Sequence, residues 1–376
     1  MANVKSLLAE LIALPSVNPA FLPPRHPHAG EGRIAEYLAA LGARAGLDIE
    51  FQSVLPHRPN LFARLRPAGK IRRTILLAPH LDTVNVAQAD QFTPRTRDGR
   101  IFGRGACDTK GSVAAFFSAL CALAKSGGRP RATEIIFVGL VDEEYGQAGS
   151  RYLADRKFQA DLAIVGEPTR LALATAHKGS VWLAVETCGR SAHGATPWFG
   201  KNAVQEMARV VDVLETDFAA RLRERPHPLL GPGSVSVGTI AGGTQTNIVP
   251  DRCVINVDRR TLPGESEATA RRELAAFLRA RKLAAKVSTI KLKPCVPLET
   301  DARRPLVRQL LRSLGQATPA GLHYFCDAAV LSRGGIPSVV FGPGDIAQAH
   351  TDQEWISITE VERAREMLVR FLKSLP

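Results

Sequence analysis

TILLAPHLD, residues 74–82, is an uncharged apolar run that ends in a histidine and an aspartate. Its length suits a short buried strand, and the polar pair falls directly at the strand's carboxyl end. Two further runs repeat the design. EIIFVGL (134–140) leads into Asp142, Glu143 and Glu144, and DLAIVG (161–166) leads into Glu167. KGSVAAFFSALCALAK (110–125) lies between them and reads as a buried helix. Near-continuous apolar strands alternating with helices imply a sheet covered on both faces, the doubly wound α/β arrangement. Open sheets of this kind bind ligands outside the carboxyl ends of their strands, so the acidic strand ends predict where the chemistry sits.

The pattern changes near Lys178. SVWLAVETCG (180–189) alternates more clearly and is followed by a long helix over about 201–223, then SVSVGTI (234–240), CVINVDRRT (253–261) and a helix over 267–281. Strand, helix, two strands, helix and strand read as a compact α+β, ferredoxin-like insert with one open sheet face. After about 288 the α/β pattern returns, with PSVVFGP (337–343) as a buried strand and a closing helix from Ile358 to Leu375. The expected organisation is therefore a mixed, doubly wound domain over 1–177 and 288–376, interrupted by a smaller domain over 178–287. PAFLPPRHPHAG (19–30) reads as a Pro-rich surface loop.

Composition narrows the class. A chain of 376 residues is long for a single core, and no run approaches the roughly 18 apolar residues of a membrane helix. Leu7, Leu8, Leu11 and Ile12 fall at helical spacing around Glu10, unlike the apolar segment of an export signal, so the mature protein is expected to begin at or near Met1. Six cysteines without a CxxC pair fit reduced thiols and a cytoplasmic location. The net charge of +13 comes from basic residues spread along the chain, with few aromatics to stack on bases. It reads as a solvated basic surface, and neither a nucleic acid nor a membrane is expected as a partner.

Carboxylates that converge on one sheet edge repel each other unless a cation compensates them. His80, Asp108, Glu144, Glu167 and His350 are neutral-imidazole and carboxylate ligands of the kind zinc prefers at catalytic sites. Two metals about 3.5–4 Å apart polarise a carbonyl and lower the pKa of a shared water to about 7, which is hydrolytic chemistry.

PHLDTV (79–84), GRGACDTKG (103–111), DEE (142–144), GEPT (166–169), AHKG (176–179), SAHGATP (191–197), TNIVPD (246–251), DRRTLPGE (258–265) and GPGDIAQAH (342–350) occur in this order. Together they resemble the co-catalytic zinc aminoacylase and peptidase family, which includes acetylornithine deacetylase, succinyl-diaminopimelate desuccinylase, aminoacylase and glutamate-releasing carboxypeptidases. The resemblance spans nearly the whole chain, and the GEPT, AHKG and GPG…QAH segments are most similar to the acetylornithine deacetylase type. It implies that His80 and Glu167 bind one metal, that Glu144 and His350 bind the other, and that Asp108 bridges the two. The metals are implied to be zinc, with cobalt or manganese able to substitute. Asp82 is implied to fix the His80 tautomer, and Glu143 to be the general base. His193 in the insert is implied to stabilise the oxyanion in a partner subunit's site, which makes the insert a dimerisation and lid domain and the protein a homodimer. Asn247 and Arg260, with Arg259 as a lesser candidate, are implied to hold the substrate's α-carboxylate. The implied reaction is removal of the acyl group from a small N-acyl amino acid, as in N-acetylornithine, by a metal-bridging hydroxide. A desuccinylase, a dipeptidase or a carboxypeptidase shares that chemistry, and a fold that binds metal or ligand without catalysis is the alternative of another class.

Other residues take plainer readings. His26, His28, His57, His227 and His323 read as ordinary surface or core histidines, and His177 as structural at the domain junction. Cys107 has no motif-placed histidine to activate it and reads as a packing residue. No GxSxG elbow is present, and the GRGACDTKGS lysine precedes its glycine, which breaks the phosphate-loop spacing. Thr109 departs from the family, where Met or another residue commonly follows the bridging aspartate.

Overall fold

The computed structural model describes residues 3–290, 293 and 295–376. Met1 and Ala2, where the expected mature start falls, lie outside the described residues. The chain divides into two compact units, one of Met1–Thr175, Thr300–Ala320 and Cys326–Pro376, the other of Ala176–Glu299 and Gly321–Phe325. Residues 176–177 and 295–299, assigned from sequence to the larger domain, thus group with the second unit. The cause is strand pairing, since Ala285–Thr289 is an edge strand of the smaller sheet and Leu298–Glu299 pairs with 176–177.

In the first unit the strands lie side by side in the order Asp48–Leu55, Arg58–Leu65, Thr133–Gly139, Arg73–Pro79, Leu162–Gly166, Ser338–Phe341. The last four are parallel, and the first two are antiparallel additions at one edge, so the sheet is mixed. The chain starts the parallel set at Arg73–Pro79, passes through the helix Gly111–Lys125 to Thr133–Gly139 on one side, and then crosses over to Leu162–Gly166 on the other. The strand order therefore reverses at Arg73–Pro79, and His80 hangs at the point of reversal.

Residues of Arg73–Pro79 alternate between two buried faces. Ile75 and Leu77 join one hydrophobic cluster with Phe116, Phe117 and Leu120 of the helix, while Leu76 and Ala78 are equally buried outside it. The helix is apolar nearly all round because it packs on the sheet, on Val4–Ile12 and on the closing helix Ile358–Lys373 at once. Trimming a side chain such as Leu77 to alanine in this core costs about 2–5 kcal/mol. That packing makes the strand ends a rigid platform.

The second unit is an antiparallel sheet in the order Ser234–Gly242, Arg252–Thr261, Gly179–Cys188, Ala285–Thr289. With the helices Ala203–Val213 and Glu267–Ala280 the chain order is β-α-β-β-α-β, the ferredoxin-like arrangement. Val181, Leu183 and Val185 turn toward the helices, while Trp182 on the opposite face is 46% exposed. The expected helix over 201–223 runs as Ala203–Val213, a wider turn at Leu214–Phe218, and Ala219–Arg223. No helix among the described residues is long and apolar enough to cross a membrane. No disulfide is formed among the described cysteines.

Candidate metal centre

Three neighbouring strand ends supply the floor of the site. His80 follows Arg73–Pro79, Glu143 and Glu144 follow Thr133–Gly139, and Glu167 follows Leu162–Gly166. Asp108 comes from the turn before the helix Gly111–Lys125, next to a cis peptide bond at Asp108–Thr109. That turn requires Gly105, whose φ is +80° and where a Cβ would meet Lys110 Cδ and Thr83 Cγ2 at 2.9 Å.

Asp108 offers one oxygen to each histidine. Its Oδ1 is 3.0 Å from His80 Nε2, and its Oδ2 is 3.3 Å from His350 Nε2. Glu144 Oε2 lies 3.2 Å from His350 Nε2, and Glu167 Oε1 lies 3.9 Å from His80 Nε2. One ligand atom each of His80, Asp108 and Glu144 falls within 4.8 Å of the others. His80 thus lies beside Asp108 and Glu167, and His350 beside Asp108 and Glu144. His350 holds a left-handed φ of +61°, a conformation that costs a non-glycine residue about 1–2 kcal/mol and that persists only where the surroundings impose it.

Below these residues lies a buried polar network. Asp82 accepts the backbone N–H of Glu143 on Oδ1 and of Glu144 on Oδ2, both at 3.1 Å, so it shapes the turn that carries both glutamates. His80 Nδ1 is 3.0 Å from the Asp82 carbonyl and 3.4 Å from its Oδ1. Both neighbours of Nδ1 are acceptors, and Nε2 faces the Asp108 and Glu167 oxygens, so each ring nitrogen is aimed at oxygen. Asn18 donates to Asp82 at 2.8 Å and to Asp142 at 2.9 Å, and Arg58 bridges Glu31 and Asp142. Glu354 accepts the N–H groups of Gly105, Cys107 and Asp108. Sequence reading missed Asn18, Glu31, Arg58 and Glu354, whose partners are far away along the chain. Only the position of Glu354, four residues past His350, was a usable signal.

The site's electrostatics ask for a cation. Burial, with the charge of Asp108, pushes Glu144 up to about 7, and burial pushes Glu143 and Glu167 well above the carboxylate range. Hydrogen bonds to Asp108 and Glu144 lift His350 to about 10. Burial opposes a charged His80, but Asp108 and Asp82 outweigh it and hold the ring well above its ordinary value. Asp108 is likewise penalised by burial, yet the two histidines keep its carboxyl low. Protons on imidazoles thus stand in for missing positive charge. Glu144 Oε1 and Glu167 Oε1 are buried without a hydrogen-bond partner. Orphaned carboxylate oxygens beside two imidazoles fit divalent ions with mixed nitrogen and oxygen ligation, zinc among them.

The remaining sequence-predicted residues lie in the second unit. His193 and Asn247 are exposed and adjacent, joined by a bond from Gly194 N–H to the Asn247 carbonyl at 2.7 Å. Arg260 is half-buried, with Nε 2.9 Å from Asp258 Oδ2. Arg259 is buried, and its guanidinium is engaged by Glu265 at 2.7 Å and by the Arg260 carbonyl.

Similarity to known proteins converges on one group. An acetylornithine deacetylase of Myxococcus xanthus is 32% identical over 354 residues, covering 90% of each chain. An acetylornithine deacetylase of Yersinia pseudotuberculosis is 30% identical over 347 residues, 88% of this chain and 87% of the relative. Among solved structures, the aminopeptidase PepT of Bacillus cereus superposes with a TM-score of 0.78 at 22% identity, covering 98% of this chain and 97% of the other. A Bacillus subtilis protein described as a dinuclear metal binding peptidase from the M20 family superposes with a TM-score of 0.72 at 12% identity, covering 98% and 96%. Residues 76–374, from the strand that carries His80 to the closing helix, match the sequence model of one family, and with these relatives they establish that the chain belongs to peptidase family M20/M25/M40.

Proposed function

We propose that this member of a metal-dependent hydrolase family is an N-acyl amino acid deacylase of the acetylornithine deacetylase type. The observation that carries the reading is the set of six ligand atoms from His80, Asp108, Glu144, Glu167 and His350, with two buried carboxylate oxygens left unpartnered. The deacetylase relatives support the substrate class. His80 and Glu167 would hold one ion, Glu144 and His350 the second, and Asp108 both. When bound, two zinc ions, or cobalt or manganese in their place, supply a Lewis acid for the scissile carbonyl and lower the pKa of water.

The chain's own groups complete the reaction. Glu143 takes a proton from the attacking water and returns it to the leaving amine nitrogen, a task suited to a carboxylate whose pKa lies above its usual range. Asp82 holds the backbone of Glu143 and the ring of His80, which sets the direction of both. His193 donates to the developing oxyanion in a partner subunit, with the second unit serving as a dimerisation and lid domain. Arg260 and Asn247 hold the substrate's α-carboxylate. The guanidinium of Arg259 is already committed to Glu265, so Arg260 is the stronger candidate of the two. Free thiols support a cytoplasmic location.

The test is amine release from N-acetyl-L-ornithine by zinc- or cobalt-loaded protein, beside N-succinyl-diaminopimelate, other N-acyl amino acids and dipeptides, with Glu143→Gln as the blank. Turnover of acyl amino acids that vanishes in the blank supports the reading. A preference for dipeptides moves the protein to the peptidase branch, and no turnover on any substrate withdraws the catalytic assignment.

A further inference from the structure

Glu354 has no role in the scheme above, although its side chain is 1% exposed and lies in the middle of the site's framework. Its Oε1 accepts the N–H of Cys107 at 2.8 Å and of Asp108 at 3.0 Å. Its Oε2 accepts the N–H of Gly105 at 2.9 Å and Nη1 of Arg104 at 2.8 Å. Its own carbonyl accepts the N–H of Gly103 at 3.0 Å. One residue therefore ties four of the six backbone N–H groups of the 103–108 turn, which presents Asp108, to the segment that presents His350. The adjoining strands Trp355–Ser357 and Arg100–Phe102 are paired, which extends the same junction.

We propose that Glu354 is a positioning residue for the metal centre, one that sets the Asp108 turn against the His350 segment so that a single carboxylate meets both histidines. The choice of side chain argues for this. A buried carboxylate is costly even with Arg104 beside it, and an apolar side chain of similar volume fills space at less cost. Only a carboxylate can accept four donors on two oxygens. A glutamine keeps the shape, but its amide nitrogen would face two N–H groups and accept from neither. Outer groups that orient ligands govern metal affinity, and their loss typically weakens it about 10- to 100-fold.

This inference rests on the proposed metal centre, and the experiment separates the two. Metal-free wild type and Glu354→Gln are titrated with zinc against a chromophoric chelator, their cobalt-loaded visible spectra are recorded, and their metal-free unfolding is followed by circular dichroism. Expected is a fall in affinity of about 10- to 100-fold for at least one equivalent, with a changed cobalt spectrum. Wild-type affinity and an unchanged spectrum in the variant overturn the inference, even if its metal-free stability is lower. A wild type that binds no metal overturns the metal centre and this role together. If Glu354→Gln does not fold, Arg104→Lys loosens only the Oε2 side. A loss of zinc affinity of threefold or more then supports the role, and no loss overturns it.

Discussion

His177 should make the protein sensitive to mild acid through a single proton. Its ring is fully buried, Nδ1 is 2.9 Å from the Lys178 carbonyl, and Nε2 has no partner. The neutral ring fits with its proton on Nδ1, whereas a second proton on Nε2 would be buried without an acceptor. Burial accordingly lowers its pKa from 6.5 to about 4. Above pH 6.5 the ring is neutral in the folded and unfolded chains, and its full contribution to stability is present. Between 6.5 and 4 the unfolded chain takes up a proton that the fold refuses, so stability falls as pH falls. Below 4 both states are protonated and the loss stops. The shift corresponds to about 3 kcal/mol in total, of which about 2.5 kcal/mol is lost by pH 4.5. Urea unfolding of metal-free wild type and His177→Asn at pH 7, 6, 5 and 4.5 measures this. The asparagine keeps a donor toward Lys178 and cannot titrate, and all other groups are common to both proteins. The wild type should lose about 2.5 kcal/mol more than the variant by pH 4.5. Parallel curves for the two proteins would refute the reasoning.

Other outcomes follow from the same geometry. Asp82→Asn puts an amide N–H where a backbone N–H now donates, so turnover should fall 10- to 100-fold or more with zinc affinity reduced, to be read by chelator competition and kcat; unchanged values of both would remove Asp82 from the site's framework. Because divalent ions bind only the folded site, zinc at about 100 times its dissociation constant should add about 2.7 kcal/mol to unfolding free energy, and a chelator should remove that gain along with turnover. Thermal scans that do not respond to zinc would count against the centre. Gly105→Ala should destabilise by about 1–3 kcal/mol in chemical denaturation, since alanine is strained at φ +80° and its Cβ meets Lys110 and Thr83; a neutral result would mean that the turn relaxes freely.

The acidic strand ends were legible because a parallel strand buried on both faces leaves an unbroken apolar run, and the first polar residues after it must lie at its carboxyl end. The edge hairpin Asp48–Leu65 was not read as a pair of strands, since the exposed and half-buried residues of Asp48–Leu55 carry no such run. The break in the 201–223 helix also escaped notice, because a wider turn at Leu214–Phe218 leaves the apolar spacing nearly intact. Boundaries set by pairing across the chain, such as the attachment of 298–299 to the smaller unit, have no local signal at all.

Local pattern thus determined the α/β class, the interrupted order of elements, and the identity of the residues that gather at the strand ends. Their spacing and burial are local properties of strands and turns, so they survive in one dimension. Which oxygen of Asp108 faces which histidine was decided only by the fold, as was the network of Asn18, Glu31, Arg58 and Glu354 that holds the ligands. The contacts of that network join residues 27 to 250 positions apart. A hydrogen bond is directional to within tenths of an ångström, and nothing in the order of residues along a chain specifies such directions until packing has brought the distant segments together.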